Sequence, residues 1–291
     1  SGQCIDLQLT SGRRNDQKDT KESSINLPPN SLLIRDLGYI TTSFLKAVVK
    51  QSSYFLNRLP SQMQVFDREQ QEQLIDFDKV LKKMKRHALP YLEFNILAGK
   101  KASIPSRLVV YLNDKKTTKN RIMRTTKNTR SIGCKVSKEQ KTRSQLDIYI
   151  TNVDKQVIKP ENVRKVYSLR WQMELVFKTW KSLYGIDKVK KVKIQRFECL
   201  LLAVMIWVVL HWRVFQVIHG WFVENLPQKS VSIWKYFKHA KTNSQFLRKV
   251  VFKHQNPQSK LESLINMAEH KFFKETKKGK DPYYQLINLL A

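Results

Sequence analysis

Acidic residues are scarce in this chain: 24 Asp and Glu stand against 54 Lys and Arg over 291 residues, a formal net charge of +30. The excess is spread along the whole length. Such a charge repels itself in isolation, so a polyanionic partner is expected, nucleic acid being the commonest for a protein of this size. Cysteine is rarer still. Cys4, Cys134 and Cys199 are too few and too scattered for a disulfide framework or a zinc site, which points to a reducing compartment. The six histidines lack metal-ligand spacing, and His211 and His219, inside an apolar helical stretch, read as core or cap residues. No run reaches the ~20 apolar residues that a bilayer span takes. The longest, CLLLAVMIWVVL (199–210), is bracketed by Glu198, His211 and Arg213 and is expected to be a buried core helix. The start SGQCIDLQLT has no basic region followed by an apolar one, so no signal peptide is read there. It also lacks an initiator Met, and the chain is therefore expected to be a piece of something longer. With 41% hydrophobic residues it can bury one large core or two modest ones, which excludes a disordered or collagen-like chain.

Alternation in CIDLQLT (4–10) predicts a strand, and the two prolines of NLPPNS forbid helix in the loop that follows. In SLLIRDLGY a short apolar run, Leu32 to Ile34, stops at Asp36 with Gly38 just after. A carboxylate at the end of a buried strand is where α/β folds place functional groups. TTSFLKAVVKQ (41–51) has a helical pattern with Thr or Ser as N-cap, and SYFLNRL (53–59) predicts another strand. From 60 to about 158 the character changes. IDFDKVLKKMKRHAL (75–89) predicts a helix, while YLEFNIL (91–97), RLVVYLN (107–113) and DIYITNV (147–153) predict strands. Residues 115–143, with eleven Lys/Arg and a single acid, Glu139, read either as a solvated basic loop or as a strip that lies on phosphates. PENVRKVYSLRWQMELVFKTWKSLYG (160–185) predicts one helix opened by Pro160 and closed by Gly185, and the apolar helix of about 197–218 follows it. Beyond Pro227, residues 229–280 hold thirteen Lys/Arg against three Glu, interleaved with aromatics.

On a helix at 100° per residue, Tyr167, Arg170, Glu174, Lys178 and Lys181 fall within an arc of about 80°. Leu169, Met173, Val176 and Trp180 take the opposite side and are expected to pack on a sheet. An exposed face of i, i+4 pairs, Arg170 with Glu174 and Glu174 with Lys178, is one account of the stripe. A lone acid amid bases, with an acid-ended strand upstream, supports a second. Two divalent cations ~3.5–4 Å apart can break or join phosphodiesters, and hard cations such as Mg²⁺ take carboxylate oxygens. An Asp on a strand end and a Glu on a packed helix can converge on them, with basic and aromatic residues a turn or two away holding DNA phosphates and bases.

Tyr167-x2-Arg170-x3-Glu174-x6-Lys181 resembles, at every spacing, the Tyr-Arg-Glu-Lys signature of the insertion-sequence-four family of bacterial transposases. SLLIRDLGY resembles the segment bearing that family's second catalytic Asp, and ITNV (150–153) is similar to the segment before the signature. The resemblance covers roughly residues 1–220. It implies an α/β fold with a ribonuclease-H-like core interrupted by a β-rich insertion and followed by a basic helical tail. The corresponding segments are 1–59, a partial core without its first strand; 60–158, the insertion; 159–226, the rest of the core with the signature helix; and 227–291, the basic C-terminal region. It also implies a DDE-type enzyme whose Asp, Asp and Glu bind two Mg²⁺, with Mn²⁺ as an alternative, and which cuts transposon ends by hydrolysis and joins them by strand transfer. Asp36 then maps onto the second Asp and Glu174 onto the Glu, both as metal ligands. Tyr167, Arg170 and Lys181 map onto contacts with the transposon-end backbone and Trp171 onto a base or packing contact, while Lys178, on the same stripe, is expected to bind DNA beside them.

The first Asp of that pattern is expected on a strand preceding 4–10, and Asp6, Asp16 and Asp19 fall in the wrong places for it. The expectation is a C-terminal piece of a transposase. It would bind double-stranded transposon ends in the bacterial cytoplasm, away from any membrane, with a homodimer in the synaptic complex, and would nick them poorly on its own. The alternative is a catalytically dead DNA-binding remnant. RNA binding is disfavoured by the lack of an RNP-type or KH-type motif.

Overall fold

The computed structural model describes residues 26–70, 73–99, 104–131, 133–188, 192–226, 229–243 and 257–273. The strand expected at 4–10, and Asp6, Asp16 and Asp19, lie outside them. The described residues form two compact units that divide between Ser168 and Leu169.

The first unit is built on one seven-stranded sheet. After the NLPPNS loop, β1 (Leu32–Ile34) runs into a 3-10 turn, Leu37–Tyr39, and then α1 (Thr42–Lys50), whose N-cap Thr41 accepts from the Phe44 N–H at 3.2 Å. β2 (Tyr54–Arg58) pairs parallel with β1, so these elements form a β-α-β unit. β3 (Val65–Asp67) and β4 (Gln73–Leu74) follow, two short strands the sequence pattern did not show. α2 (Phe77–Arg86) starts at Asp76, which caps Asp78 and Lys79, and buries Phe77, Val80, Leu81 and Met84 at helical spacing. β5 (Tyr91–Ala98), β6 (Ile104–Leu112) and β7 (Leu146–Thr151) complete the sheet, in the order β1-β2-β7-β6-β5-β3-β4. Every pairing except β1 with β2 is antiparallel. Residues 60–158 therefore extend the sheet that carries β1 and β2, because β7 pairs directly with β2. The core of this unit unites Phe44, Leu45 and Val48 of α1 with Phe55, Ile96, Leu108 and Ile150 of the strands.

The basic stretch 115–143 is helical where a loop was one expectation. α3 (Lys115–Ser131) is set by Asp114, whose carboxylate accepts from the Thr117 N–H at 2.7 Å and hydroxyl at 2.6 Å. α4 (Lys138–Ser144) opens with a capping box in which Ser137 and Gln140 exchange side-chain bonds with each other's backbone N–H.

The expected single helix over 160–185 is broken into four pieces: a 3-10 turn at Pro160–Asn162, α5 (Val163–Tyr167), a second 3-10 turn at Ser168–Arg170, and α6 (Trp171–Tyr184). At the break, the Ser168 hydroxyl donates to the Lys165 carbonyl at 2.6 Å, competing with helix continuation. The 100° register therefore holds within α6 but does not carry through from Tyr167. Gly185, at φ 63°, closes α6 in the left-handed conformation that favours glycine, as expected.

The second unit is helical. α6 packs on α7 (Ile194–Asn225) and α8 (Ile233–Thr242), with α9 (Pro257–Met267) and a π-helical turn, Ala268–Phe272, completing it. The apolar side of α6 meets helices here, not a sheet: Tyr184 donates its hydroxyl to the Phe237 carbonyl at 3.0 Å, and Leu183 joins Val208, Phe215 and Phe237 in the core. Met173, expected on the packed side, is exposed. The apolar run 199–210 is a core helix on one face only. Met205, Val208, His211, Phe215, Ile218 and Phe222 are buried, while Leu202, Ile206, Val209 and Leu210 are exposed. Among the described residues α7 is the one helix long and apolar enough, by length and composition, to cross a membrane.

Candidate active site

The end of β1 is held by hydrogen bonds that leave its aspartate outward. The Arg35 N–H donates to Oδ1 of the buried Asn57 on β2 at 2.9 Å, and the Arg35 guanidinium lies 4.6 Å from the centroid of the Phe44 ring. Asp36 is exposed, and its carboxylate accepts from the Leu37 N–H at 2.8 Å as it caps the 3-10 turn. One hydroxyl reaches this strand end from the signature: Tyr167 donates to the Arg35 carbonyl at 3.4 Å. Its ring is only 7% exposed and lies 5.1 Å from the Tyr149 ring centroid, so Tyr167 is a packed residue with one polar tip.

Two neighbouring motifs are structural. In ITNV, the Thr151 hydroxyl donates to the Phe55 carbonyl at 2.6 Å and the Asn152 side chain bonds the Phe55 N–H at 2.7 Å and the Ser53 carbonyl at 3.1 Å. These bonds continue the contact between β2 and the chain where β7 ends, and so hold the start of β2 to β7. Behind them lies Asp147, its side chain 3% exposed, with Arg58, Arg121 and Arg164 all in ion-pair contact. Burial pushes its carboxyl up, but the arginines outweigh burial and hold it below the ordinary carboxylate range. Asn57 and Asp147 were not singled out from the sequence. A polar residue inside an apolar strand was the available signal.

In the helical unit, Arg170 stands at the start of α6 with its guanidinium 2.7 Å from Glu174 Oε1. Trp171 is 52% exposed. Lys178 Nζ sits 5.5 Å from the Trp234 ring centroid, and Lys181 is exposed one turn further on. Arg170, Glu174, Lys178 and Lys181 thus share one helix surface, Arg170 and Glu174 in direct contact. Asp36 and Tyr167 belong to the sheet unit. Asp36 and Glu174 offer the hard carboxylate oxygens that suit Mg²⁺ or Mn²⁺. Among the described residues no group of three or more His, Cys, Asp and Glu side chains gathers. Cys134 and Cys199 are both exposed.

A strongly basic mixed α/β protein that carries an exposed aspartate after β1, at one edge of its sheet, and a glutamate on a cationic helix is suited to a polyanionic partner. The comparisons are more specific. Residues 1–210 match the Transposase DDE domain family, and the chain belongs to that family. It is similar to the transposase for insertion sequence element IS231D of Bacillus thuringiensis subsp. finitimus, 29% identical over 213 residues, covering 68% of this chain and 44% of the relative. The IS231F transposase of Bacillus thuringiensis subsp. israelensis is 28% identical over 228 residues, and the IS1151 transposase of Clostridium perfringens 25% over 223, each match covering 72% of this chain and 47% of the relative. The chain thus spans less than half the length of these relatives. No solved structure matches it.

Proposed function

We propose that this chain carries the catalytic region of an insertion-sequence transposase, which hydrolyses phosphodiesters at the element's ends and transfers the freed strands to new DNA. The observation that carries this reading is the tie between the signature and the strand end: Tyr167, the first signature residue, is bonded to the carbonyl of Arg35, the residue before Asp36. In this reading β1, α1 and β2 are part of a ribonuclease-H-like core, and β3 to β7 with α2 to α4 are its insertion. Asp36 and Glu174 supply carboxylates to a pair of Mg²⁺ or Mn²⁺ ions, which when bound activate the attacking oxygen and stabilise the leaving one. The chain's own groups do the rest. Asn57 and Tyr167 fix the strand end that presents Asp36. Arg170 pairs with Glu174 at 2.7 Å, and its guanidinium would also suit a backbone phosphate. Lys178 and Lys181 hold the next phosphates, and the exposed Trp171 ring offers a stacking surface to a base.

The test is excision of a marked element in cells expressing its complete transposase. Asp36→Asn and Glu174→Gln should each abolish excision while the protein still binds end DNA. Excision at the parental rate by either variant would overturn the assignment.

A further inference from the structure

We propose that α3 is a duplex-DNA-binding helix, its outward face laid against the phosphate backbone and its inward face pinned to the sheet by Asp147. This rests on the reading of the chain as a DNA-processing transposase and adds a second contact surface, outside the signature. α3 has seven Lys and Arg and no acid in its 17 residues. At 100° per residue Lys115, Lys116, Lys119, Arg124, Lys127 and Arg130 occupy an arc of about 180° along roughly 25 Å of helix. All six are exposed.

This distribution is unfavourable for the helix by itself. Lys115 with Lys119, Arg124 with Lys127 and Lys127 with Arg130 are like-charge pairs at i, i+4 or i, i+3, each of which weakens a helix. Lys115 and Lys116 stand at the N-terminal end, where the macrodipole disfavours cations. Two devices keep the helix formed and oriented. Two of its threonines satisfy themselves: the Thr126 hydroxyl donates to the Ile122 carbonyl at 2.8 Å and that of the buried Thr129 to the Thr125 carbonyl at 2.9 Å. Arg121, also on the inward side, donates to Asp147 at 2.6 Å and to the Leu146 carbonyl at 3.1 Å. The buried Asp147 carboxylate thereby fixes which face of α3 looks outward.

The chemistry of that face selects its occupant. Among the described residues its six cations take no carboxylate partner. Its apolar content is one exposed side chain, Met123, whereas a helix that lies in a lipid interface needs a broad apolar face. The duplex backbone supplies regularly spaced anions over the same length, and a helix also fits the ~12 Å major groove. α4 touches α3 and continues the surface with Lys138 and Lys141, both exposed.

The experiment measures binding of the purified 291-residue chain to a duplex of arbitrary sequence across a salt series. The triple variant K119Q/R124Q/K127Q is compared with K46Q/K50Q on α1, and vesicles containing phosphatidylserine serve as a second probe. Each lost phosphate contact removes about 0.9 from the slope of log affinity against log salt, so the triple variant should lose roughly 2 to 3 units of slope and the α1 variant none. Its melting temperature should hold or rise, since like-charge repulsion is relieved, which separates lost binding from lost folding. An unchanged slope in the triple variant, with the parent bound to duplex, would overturn the assignment of α3 alone. So would a triple variant that loses vesicle binding and keeps its duplex slope. A parent chain with no affinity for duplex would overturn the transposase reading and this one together.

Discussion

The Tyr167 hydroxyl donates to the Arg35 carbonyl, 3.4 Å away, and so bonds the last residue of α5 to the residue that precedes Asp36. Because the Tyr167 ring is packed on Tyr149, the hydroxyl and the ring have separable roles. Tyr167→Phe keeps the packing and removes the bond, so it should cost about 1 kcal/mol of stability, leave DNA affinity unchanged and slow end cleavage. Tyr167→Ala opens a cavity and should cost about 3–5 kcal/mol. Chemical denaturation paired with a cleavage assay reads both. Equal loss of affinity and cleavage in the phenylalanine variant would mean that the hydroxyl contacts DNA instead.

Asp147 carries a pH dependence whose sign follows from its partners. Its carboxyl is pushed up by burial and more strongly down by Arg58, Arg121 and Arg164, so its folded pKa lies below the unfolded value. The stability it contributes is fully present above about pH 4 and is lost as pH falls further. Asp147→Asn leaves three guanidiniums facing a neutral amide and should destabilise the sheet unit by on the order of 3 kcal/mol at neutral pH. The difference between parent and variant should shrink in acid, as read by urea midpoints at pH 7 and pH 3.

His211 acts on the helical unit over a higher window. Its ring is buried, with Nδ1 3.2 Å from the Tyr236 hydroxyl, and burial lowers its pKa to about 4. The folded state therefore refuses a proton that the unfolded chain accepts near pH 6.5. Stability is at its full value above about pH 6.5 and declines as pH falls toward 4, by on the order of 3 kcal/mol in all. His211→Phe should flatten that decline, and a parallel fall in both proteins would assign the pH dependence to another group.

Much of the sheet was legible because its strands announce themselves locally. Leu32–Ile34, Tyr54–Arg58, Tyr91–Ala98 and Leu146–Thr151 are apolar runs bounded by turn chemistry, and Thr41 and Asp76 are ordinary N-caps. α3 was hidden because its outward face is nearly all charge and its inward face is threonine, so there is no 3.6-residue apolar period to read. β3 and β4, of three and two residues, are too short to carry a pattern and exist through pairing, β3 with β5 and β4 with β3. α7 misled in the other direction: an apolar run reads as core whether one face or both are covered, and only the packed helices reveal which. At the site, spacing gave residue types but not registers. The 3-10 turn at Ser168–Arg170 moves Tyr167 off the stripe and into the sheet unit, a consequence of Ser168 hydrogen bonding that periodicity does not encode.

Arg170 and Glu174 give the last prediction, because their ion pair makes the two residues respond differently to substitution. The guanidinium is 2.7 Å from Glu174 Oε1, on a partly exposed surface where such a pair contributes little to stability. Neither Glu174→Gln nor Arg170→Ala should therefore shift the melting temperature by more than a degree or two. Glutamine keeps the shape of glutamate and removes its charge, so a carboxylate that serves as a metal ligand loses its function while the surface met by DNA gains positive character. Glu174→Gln should lower cleavage by several orders of magnitude and leave end-DNA affinity unchanged or slightly raised. Arg170→Ala should weaken both, since a phosphate contact serves binding and cleavage alike, by roughly 1–2 kcal/mol in each. Affinity from a shift assay and initial cleavage rate, taken on the same preparations of the complete transposase, separate the two patterns. Retained cleavage in Glu174→Gln would reduce the pair to surface electrostatics.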